Sequence, residues 1–220
     1  MVIKAENISR SVTGPDNKTI TILKRINLEV FPSEFLAVMG PSGSGKTTLL
    51  QILGLMDTAS AGELTILNKN VSQLSEKDKT SLRRNEIGFV FQKPLLISDL
   101  TLIENLKLVA KTTDKTITIK NILEILEKTG LKGKENHYPR MLSAGENQRG
   151  ALARAAIISP AVLFADEPTS NLDKENKLVI MDILKRLNTE NHITVVMATH
   201  DELVLHYSKR SLCLINGTIE

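Results

Sequence analysis

The octapeptide Gly40-Pro41-Ser42-Gly43-Ser44-Gly45-Lys46-Thr47 has the spacing G-x-x-x-x-G-K-[ST], the pattern of a loop that turns its backbone N–H groups around a phosphate. Glycines permit that turn because they accept left-handed backbone angles without steric cost. Lys46 would bring a point charge to the outer phosphates of a nucleotide, and the Thr47 hydroxyl would ligate Mg²⁺. The flanks decide between this chemistry and a flexible Ser/Gly turn with an incidental lysine. The apolar run Phe35-Leu36-Ala37-Val38-Met39 precedes the loop, and Thr48-Leu49-Leu50-Gln51-Ile52-Leu53 follows it as a helix whose positive end adds to phosphate binding. Gly40, Pro41, Ser42, Gly43, Ser44, Gly45, Lys46, Thr47 and Thr48 are therefore the candidate nucleotide-holding residues, with Lys46 also a candidate catalytic group.

A second apolar run, Ala161-Val162-Leu163-Phe164-Ala165, ends in Asp166-Glu167. An unpaired carboxylate at the end of a buried strand is strongly disfavoured. A Mg²⁺ shared with Thr47 removes that difficulty, which makes Asp166 the candidate metal residue, acting through a water. Glu167, next along, is placed to polarise an attacking water as general base. The competing reading is a strand ending in a solvated acidic turn. A third run, Ile193-Thr194-Val195-Val196-Met197-Ala198, ends in Thr199-His200. In open parallel sheets ligands collect at the carboxyl ends of the strands, so the three runs predict one site assembled from remote parts of the chain.

Around these runs the rest of the chain supplies the scaffold. The segments Thr19-Ile20-Thr21-Ile22-Leu23 and Ile26-Asn27-Leu28-Glu29-Val30 alternate, which predicts antiparallel strands with Gly14-Pro15-Asp16-Asn17 as the connecting turn. Residues 95–158 read as mostly helical. Within them 119–128 spaces Ile122, Leu123, Ile125 and Leu126 for one helix, and Gly130 stops it. The expected architecture is an α/β P-loop NTPase with a mostly parallel core sheet, an antiparallel β subdomain at the N-terminus and an inserted helical subdomain. We read one domain over 1–220, with 1–93 and 159–220 as nucleotide-binding core and 94–158 as the helical subdomain. No linker rich in Gly, Pro or Ser, repeat or low-complexity tract interrupts it.

Composition excludes several other classes. With 41% hydrophobic and 24% charged residues, the 220-residue chain matches a soluble globular protein. Only 3% is aromatic and Trp is missing, and the net charge of +3 comes from 28 basic and 25 acidic residues interspersed without runs. A nucleic-acid partner is not expected. The single Cys213 lies among apolar neighbours, where a buried inert thiol is expected, and a reducing cytosol is the simplest location. The amino end has no signal peptide. The longest nearly apolar stretch, 155–165, holds Ser159 and Pro160 and falls far short of the ~20 residues of a membrane span. Work at a membrane would need an anchoring partner.

Further motifs give the pattern a family. Phe89-Val90-Phe91-Gln92 looks like a Q-loop, Leu142-Ser143-Ala144-Gly145-Glu146 with Gln148-Arg149 like a signature motif, and Ala165-Asp166-Glu167-Pro168 like a Walker B segment. Ser170-Asn171-Leu172-Asp173 looks like a D-loop and Thr199-His200-Asp201 like a switch histidine. In order and spacing these segments resemble the ATP-binding-cassette (ABC) ATPase family over nearly the whole chain. The resemblance implies ATP and Mg²⁺ as ligands, Gln92 in contact with Mg²⁺ or the attacking water, and His200 holding the γ-phosphate. It implies that Ser143, Ala144, Gly145 and Glu146 cap the ATP of a second, head-to-tail copy, giving a homodimer in the ATP-bound state. It also implies a separate transmembrane permease and a position on the inner face of the membrane. His137, His192 and His206 have no such company and read as structural.

Two positions depart from the family pattern. Ala144 stands where a glycine is usual, which would weaken closure if the position needs a positive φ or very close phosphate approach. Val12 stands where an aromatic residue commonly stacks on adenine, and offers only an aliphatic contact.

Gly54-Leu55-Met56-Asp57, Tyr138-Pro139 and the run from Ala165 through Asp173 resemble the small ATPases of lipoprotein-release, macrolide-export and antimicrobial-peptide-resistance complexes. The end at Glu220, soon after the switch region, leaves no room for the regulatory domain common in importer subunits. Export or extraction of lipid-like, peptide or drug molecules is therefore expected. The alternative is an ABC ATPase that drives a membrane partner regulating cell-wall or division machinery without moving cargo. A DNA-repair type would need long coiled coils between Gln92 and Leu142, and a small-molecule kinase would leave 142–146 and His200 unexplained.

Overall fold

A computed structural model describes residues 1–14 and 16–220. Along the chain run β1 (Ile3–Thr13), β2 (Thr19–Val30), β3 (Phe35–Met39), α1 (Lys46–Leu53), β4 (Ala61–Ile66), β5 (Lys69–Asn70), α2 (Glu76–Glu86) and β6 (Ile87–Val90). The second part holds α3 (Leu102–Thr112), α4 (Ile119–Lys128), α5 (Ala144–Ala156), β7 (Val162–Asp166), α6 (Lys174–Asn191), β8 (Thr194–Thr199), β9 (Arg210–Ile215) and β10 (Thr218–Ile219).

The three apolar runs become β3, β8 and β7, side by side in a six-stranded sheet of order β10-β9-β3-β8-β7-β6, parallel except at β10. Strands covered on both faces must be apolar at every position, and this is why they read as runs instead of alternations. The two faces are nevertheless distinct, because side chains alternate along a strand. Phe35, Ala37, Leu163, Ala165, Val195 and Met197 pack with α3, α4, α5 and α6. Leu36, Val38, Val162, Phe164, Val196 and Ala198 pack with α1 and the antiparallel sheet. The pairing also carries β7 and β8 one residue past the expected ends, so Asp166, opposite Ala198, and Thr199, opposite Met39, are the last residues of their strands.

The second sheet is antiparallel, with order β2-β1-β4-β5. The two alternating segments predicted for the N-terminal half of it form one strand, β2, bent at Arg25, whose φ of 48° is left-handed. Lys24 and Arg25 break the alternation there, and the register to β1 slips at the same level. Of the predicted turn, Pro15 lies outside the described residues. β4 and β5 were not legible beforehand, since β4 opens on Ala61-Gly62-Glu63 without an apolar alternation and β5 is only two polar residues.

Within the helical segment α4 spans the predicted 119–128, with Thr118 and Asn121 forming its capping box and Gly130 at φ 71° beyond its end. Ile122, Ile125 and Leu126 are buried there, whereas Leu123 is 43% exposed. At 100° per residue, Leu123 falls outside the stripe that faces α5. Cys213 is half-buried, not buried as expected; it alternates with the fully buried Leu214 and so faces the other side of the sheet. The fully buried Phe164 ring packs at 5.9 Å from Phe89. Phe164→Ala should cost about 3–5 kcal/mol of unfolding free energy, measurable by urea titration.

Candidate functional site

The loop 40–47 leaves β3 and enters α1, and its geometry depends on two glycines. Gly40 has φ 148°, and a Cβ there would stand 2.2 Å from the Leu214 carbonyl oxygen. Gly45, the N-cap of α1, has φ 105°, and a Cβ would stand 2.9 Å from Leu23 Cδ2. β9 and β2 thus press on the loop from two sides, and a side chain at either glycine would push it out of shape. Ser44 is buried and its hydroxyl has no hydrogen-bond partner.

Lys46 curls back under the loop. Its Nζ donates to the carbonyls of Gly40 at 2.8 Å and Pro41 at 3.0 Å and lies 3.6 Å from Glu167 Oε1. Thr47 Oγ1 donates to Asp166 Oδ1 at 3.1 Å, so the two candidate metal residues meet across α1 and β7. Burial pushes the Asp166 carboxyl above its ordinary value; the Thr47 hydrogen bond and Lys46 oppose this, and Glu167 adds to it. A nearby cation would restore the ionised form.

Glu167 follows β7 with a left-handed φ of 46°. Its N–H donates to Ala198 O at 2.9 Å, and its carbonyl accepts from Ser170. A non-glycine residue pays for this conformation, and the surroundings hold it there. The result turns the Glu167 carboxylate toward Lys46 and toward His200, whose Nδ1 lies 3.0 Å away. These groups line a cavity of about 430 Å³ together with Ser42, Gly43, Gly45, Thr47, Thr48 and Gln92. Gly40, Pro41 and Ser44 back the loop, and Asp166 lies beneath Thr47.

The donor set suits Mg²⁺. One hydroxyl and one carboxylate, both hard oxygens, meet at the cavity floor, and among the described residues no cluster of three or more His, Cys, Asp or Glu exists. Mg²⁺ is commonly held by one or two protein oxygens and completes its octahedron with phosphates and water.

The 143–146 turn lies away from this cavity. Ser143 caps α5: its hydroxyl accepts from the Glu146 N–H at 3.2 Å, and its own N–H donates to Glu146 Oε2 at 2.8 Å. Glu146 also holds Lys134 at 2.6 Å; this ion pair, then the Ser143 N–H, draws its carboxyl down to about 2. Ala144 is the first helical residue and is not among those with positive φ. The expected strain at this departure is therefore absent, since a helical backbone accepts alanine freely. At Gly145, one residue later, a Cβ would stand 2.2 Å from Asn176 Oδ1 of α6.

Val12 does not line the cavity. It pairs with Ile20 in the β1–β2 hairpin; Ile22, two residues further along β2, does line the cavity. Ile22 was missed, although its signal was present: in the alternation of 19–23 it is an isoleucine on a strand that reaches toward the phosphate loop.

The family model "ABC transporter" matches residues 23–170. An uncharacterized ABC transporter ATP-binding protein of Methanocaldococcus jannaschii is 42% identical, the match covering 99% of this chain and 97% of that one. The lipoprotein-releasing system ATP-binding protein LolD of Pseudoalteromonas translucida is 39% identical over 91% of this chain and 87% of its own. The macrolide export ATP-binding/permease protein MacB of Chlorobium luteolum is 42% identical over 91% of this chain, which spans only 30% of MacB. Among solved structures, the dimeric post-hydrolysis state of the ATP-binding cassette MJ0796 bound to ADP and Pi superposes with a TM-score of 0.91 at 38% identity, covering 99% of this chain and 96% of that one.

The capping box gives a pH signature. Because the folded-state pKa of Glu146 is depressed from 4.5 to about 2, its stabilisation is complete above pH 4.5 and is lost as pH falls toward 2. Glu146→Ala should cost about 0.5–2 kcal/mol at neutral pH. Urea titrations at several pH values should show the gap between the variant and the parent protein closing in acid.

Proposed function

This chain belongs to the ABC transporter family as one of its ATP-binding cassettes, and from that premise we propose that it hydrolyses ATP as a homodimer to drive a separate transmembrane permease. The observation that carries this is the meeting of Lys46, the Thr47–Asp166 pair, Glu167 and His200 in one cavity from three strand ends.

In this reading the N–H groups of the loop 40–47 and the Lys46 ammonium bind the phosphates of ATP, with Thr48 and the start of α1 behind them. Thr47 and Asp166 would hold Mg²⁺, which neutralises charge on the bridging phosphate oxygens. Glu167 accepts the proton of the water that attacks the γ-phosphate. His200, at 3.0 Å from Glu167, is placed to offer its N–H to the γ-phosphate. Gln92 lines the same cavity and contributes a neutral amide to the metal or the water. Ile22 covers the base in place of an aromatic ring.

The Ser143 turn is capped within its own chain and lies outside the cavity, so it is free to face the nucleotide of a second copy. Likeness to a dimeric cassette bound to ADP and Pi supports this arrangement. Residues 94–158 would act as the helical subdomain and pass the stroke to the permease. No helix among the described residues is long and apolar enough to cross a membrane, which is in keeping with a peripheral position on the inner face. Likeness to LolD and MacB favours export or extraction of lipid-like, peptide or drug molecules. Purifying the tagged chain from native membranes and identifying the bound permease would test that choice; a partner dedicated to cell-wall enzymes would overturn it.

Glu167→Gln should lower ATP turnover by about 10²–10⁴-fold, while ATP still drives a dimer visible by size-exclusion chromatography. Hydrolysis at the parent rate would remove Glu167 from its role. Lys46→Ala should weaken ATP binding by about tenfold or more in isothermal titration, since its buried ammonium lies beneath the loop.

A further inference from the structure

The loop between β6 and α3 has no regular structure, yet its carbonyls are taken up by side chains of the helices beside it. Gln148 of α5, 2% exposed, donates from Nε2 to Phe91 O at 3.1 Å. Arg154, later on the same helix, donates to Leu95 O at 2.7 Å and to Pro94 O at 3.4 Å. Asn105 of α3 donates to the carbonyls of Ile97, Leu100 and Thr101 and accepts from the Ile97 N–H. Leu95 has a left-handed φ of 50°, a conformation that a non-glycine residue keeps only where its surroundings impose it. Pairing of β6 with β7 ends at Val90. Beyond that point the tie to the sheet is the stack of Phe91 on Phe89, with ring centroids 4.4 Å apart.

Gln92 sits between the attachments at Phe91 and at Pro94 and Leu95. It lines the nucleotide cavity and also a second cavity, of about 370 Å³, between this loop, the start of α5 and residues 168–172. We propose that Gln148 and Arg154 are positioning residues for Gln92: they tie the main chain on both sides of it to α5, so the Gln92 amide moves with the helix whose first turn follows Ser143. The buried amide of Gln148 sets the near end of the loop, and the Arg154 fork sets the far end. This rests on the ATPase reading, in which Gln92 faces Mg²⁺ or the attacking water.

The test is a double-mutant cycle on the full chain with a structural readout beside it. Gln148→Met and Arg154→Ala should each lower kcat about tenfold while KM for ATP stays within about twofold. Arg154→Lys, which keeps one donor, should recover most of kcat. In a Gln92→Ala background neither substitution should lower kcat further, because the residue through which they act is gone. Hydrogen exchange of the amides 91–97 should speed up about tenfold in both variants with α5 itself unchanged. Losses that multiply with that of Gln92→Ala, or unchanged exchange at 91–97, overturn the proposal. A parent chain that releases no phosphate from ATP overturns the ATPase reading instead, and the exchange measurement then still decides whether α5 holds the loop.

Discussion

Two carboxylates and an ammonium have to be held together at the end of an otherwise apolar sheet, and that electrostatic requirement governs the structure around them. Lys46, 6% exposed, lies 3.6 Å from Glu167, and Asp166 is buried under the Thr47 hydroxyl. None of these groups would tolerate burial alone. They tolerate it as a set, because each charge is near its opposite or a hydrogen-bond donor, and because the loop carbonyls of Gly40 and Pro41 take up the ammonium. The set is left with the Asp166 carboxyl pushed above its ordinary value by burial and with the Ser44 hydroxyl unpaired, which fits the phosphate and divalent cation of the proposed reaction.

Holding that set in place demands backbone conformations that ordinary sequence disfavours. Gly40 and Gly45 accept them because they lack a Cβ, and neighbouring strands press close enough to exclude one. Glu167 and Leu95 accept them at a cost, the first through the hydrogen bond from its N–H to Ala198 O, the second through Arg154. Strain of this kind persists only on a rigid base. The base is the sheet, whose two faces are each sealed by a separate apolar cluster, one helical and one shared with the antiparallel sheet.

The two halves of the proposed machine meet at α5. Its first turn carries Ser143 and the capping box with Glu146, its middle holds Phe91 through Gln148, and its end holds the loop beyond Gln92 through Arg154. One helix thus touches both the turn at Ser143 and the loop entering the cavity, so in the proposed machine the two would be linked by direct contacts. Gly145 packed on Asn176 adds a fixed point on α6.

Much of this was legible in the sequence because it depends on local chemistry. The phosphate loop, the acidic pair and the three strands that end in them are contiguous patterns, and the parallel sheet follows from runs with no polar interruption. The helix 119–128 is likewise local. What depends on contacts between remote segments was decided only by the tertiary structure. Leu123 faces solvent because of where α5 lies, Ile22 and not Val12 lines the cavity because of how β2 pairs, and β4 and β5 join the first sheet from beyond α1. Ala144 proved unstrained because a helix begins at it, and Gly145 lies tight against a residue of α6. The grip of Gln148 and Arg154 on the loop around Gln92 belongs to the same class: a hydrogen bond to a distant carbonyl leaves no pattern in the chain, since any backbone carbonyl can accept it.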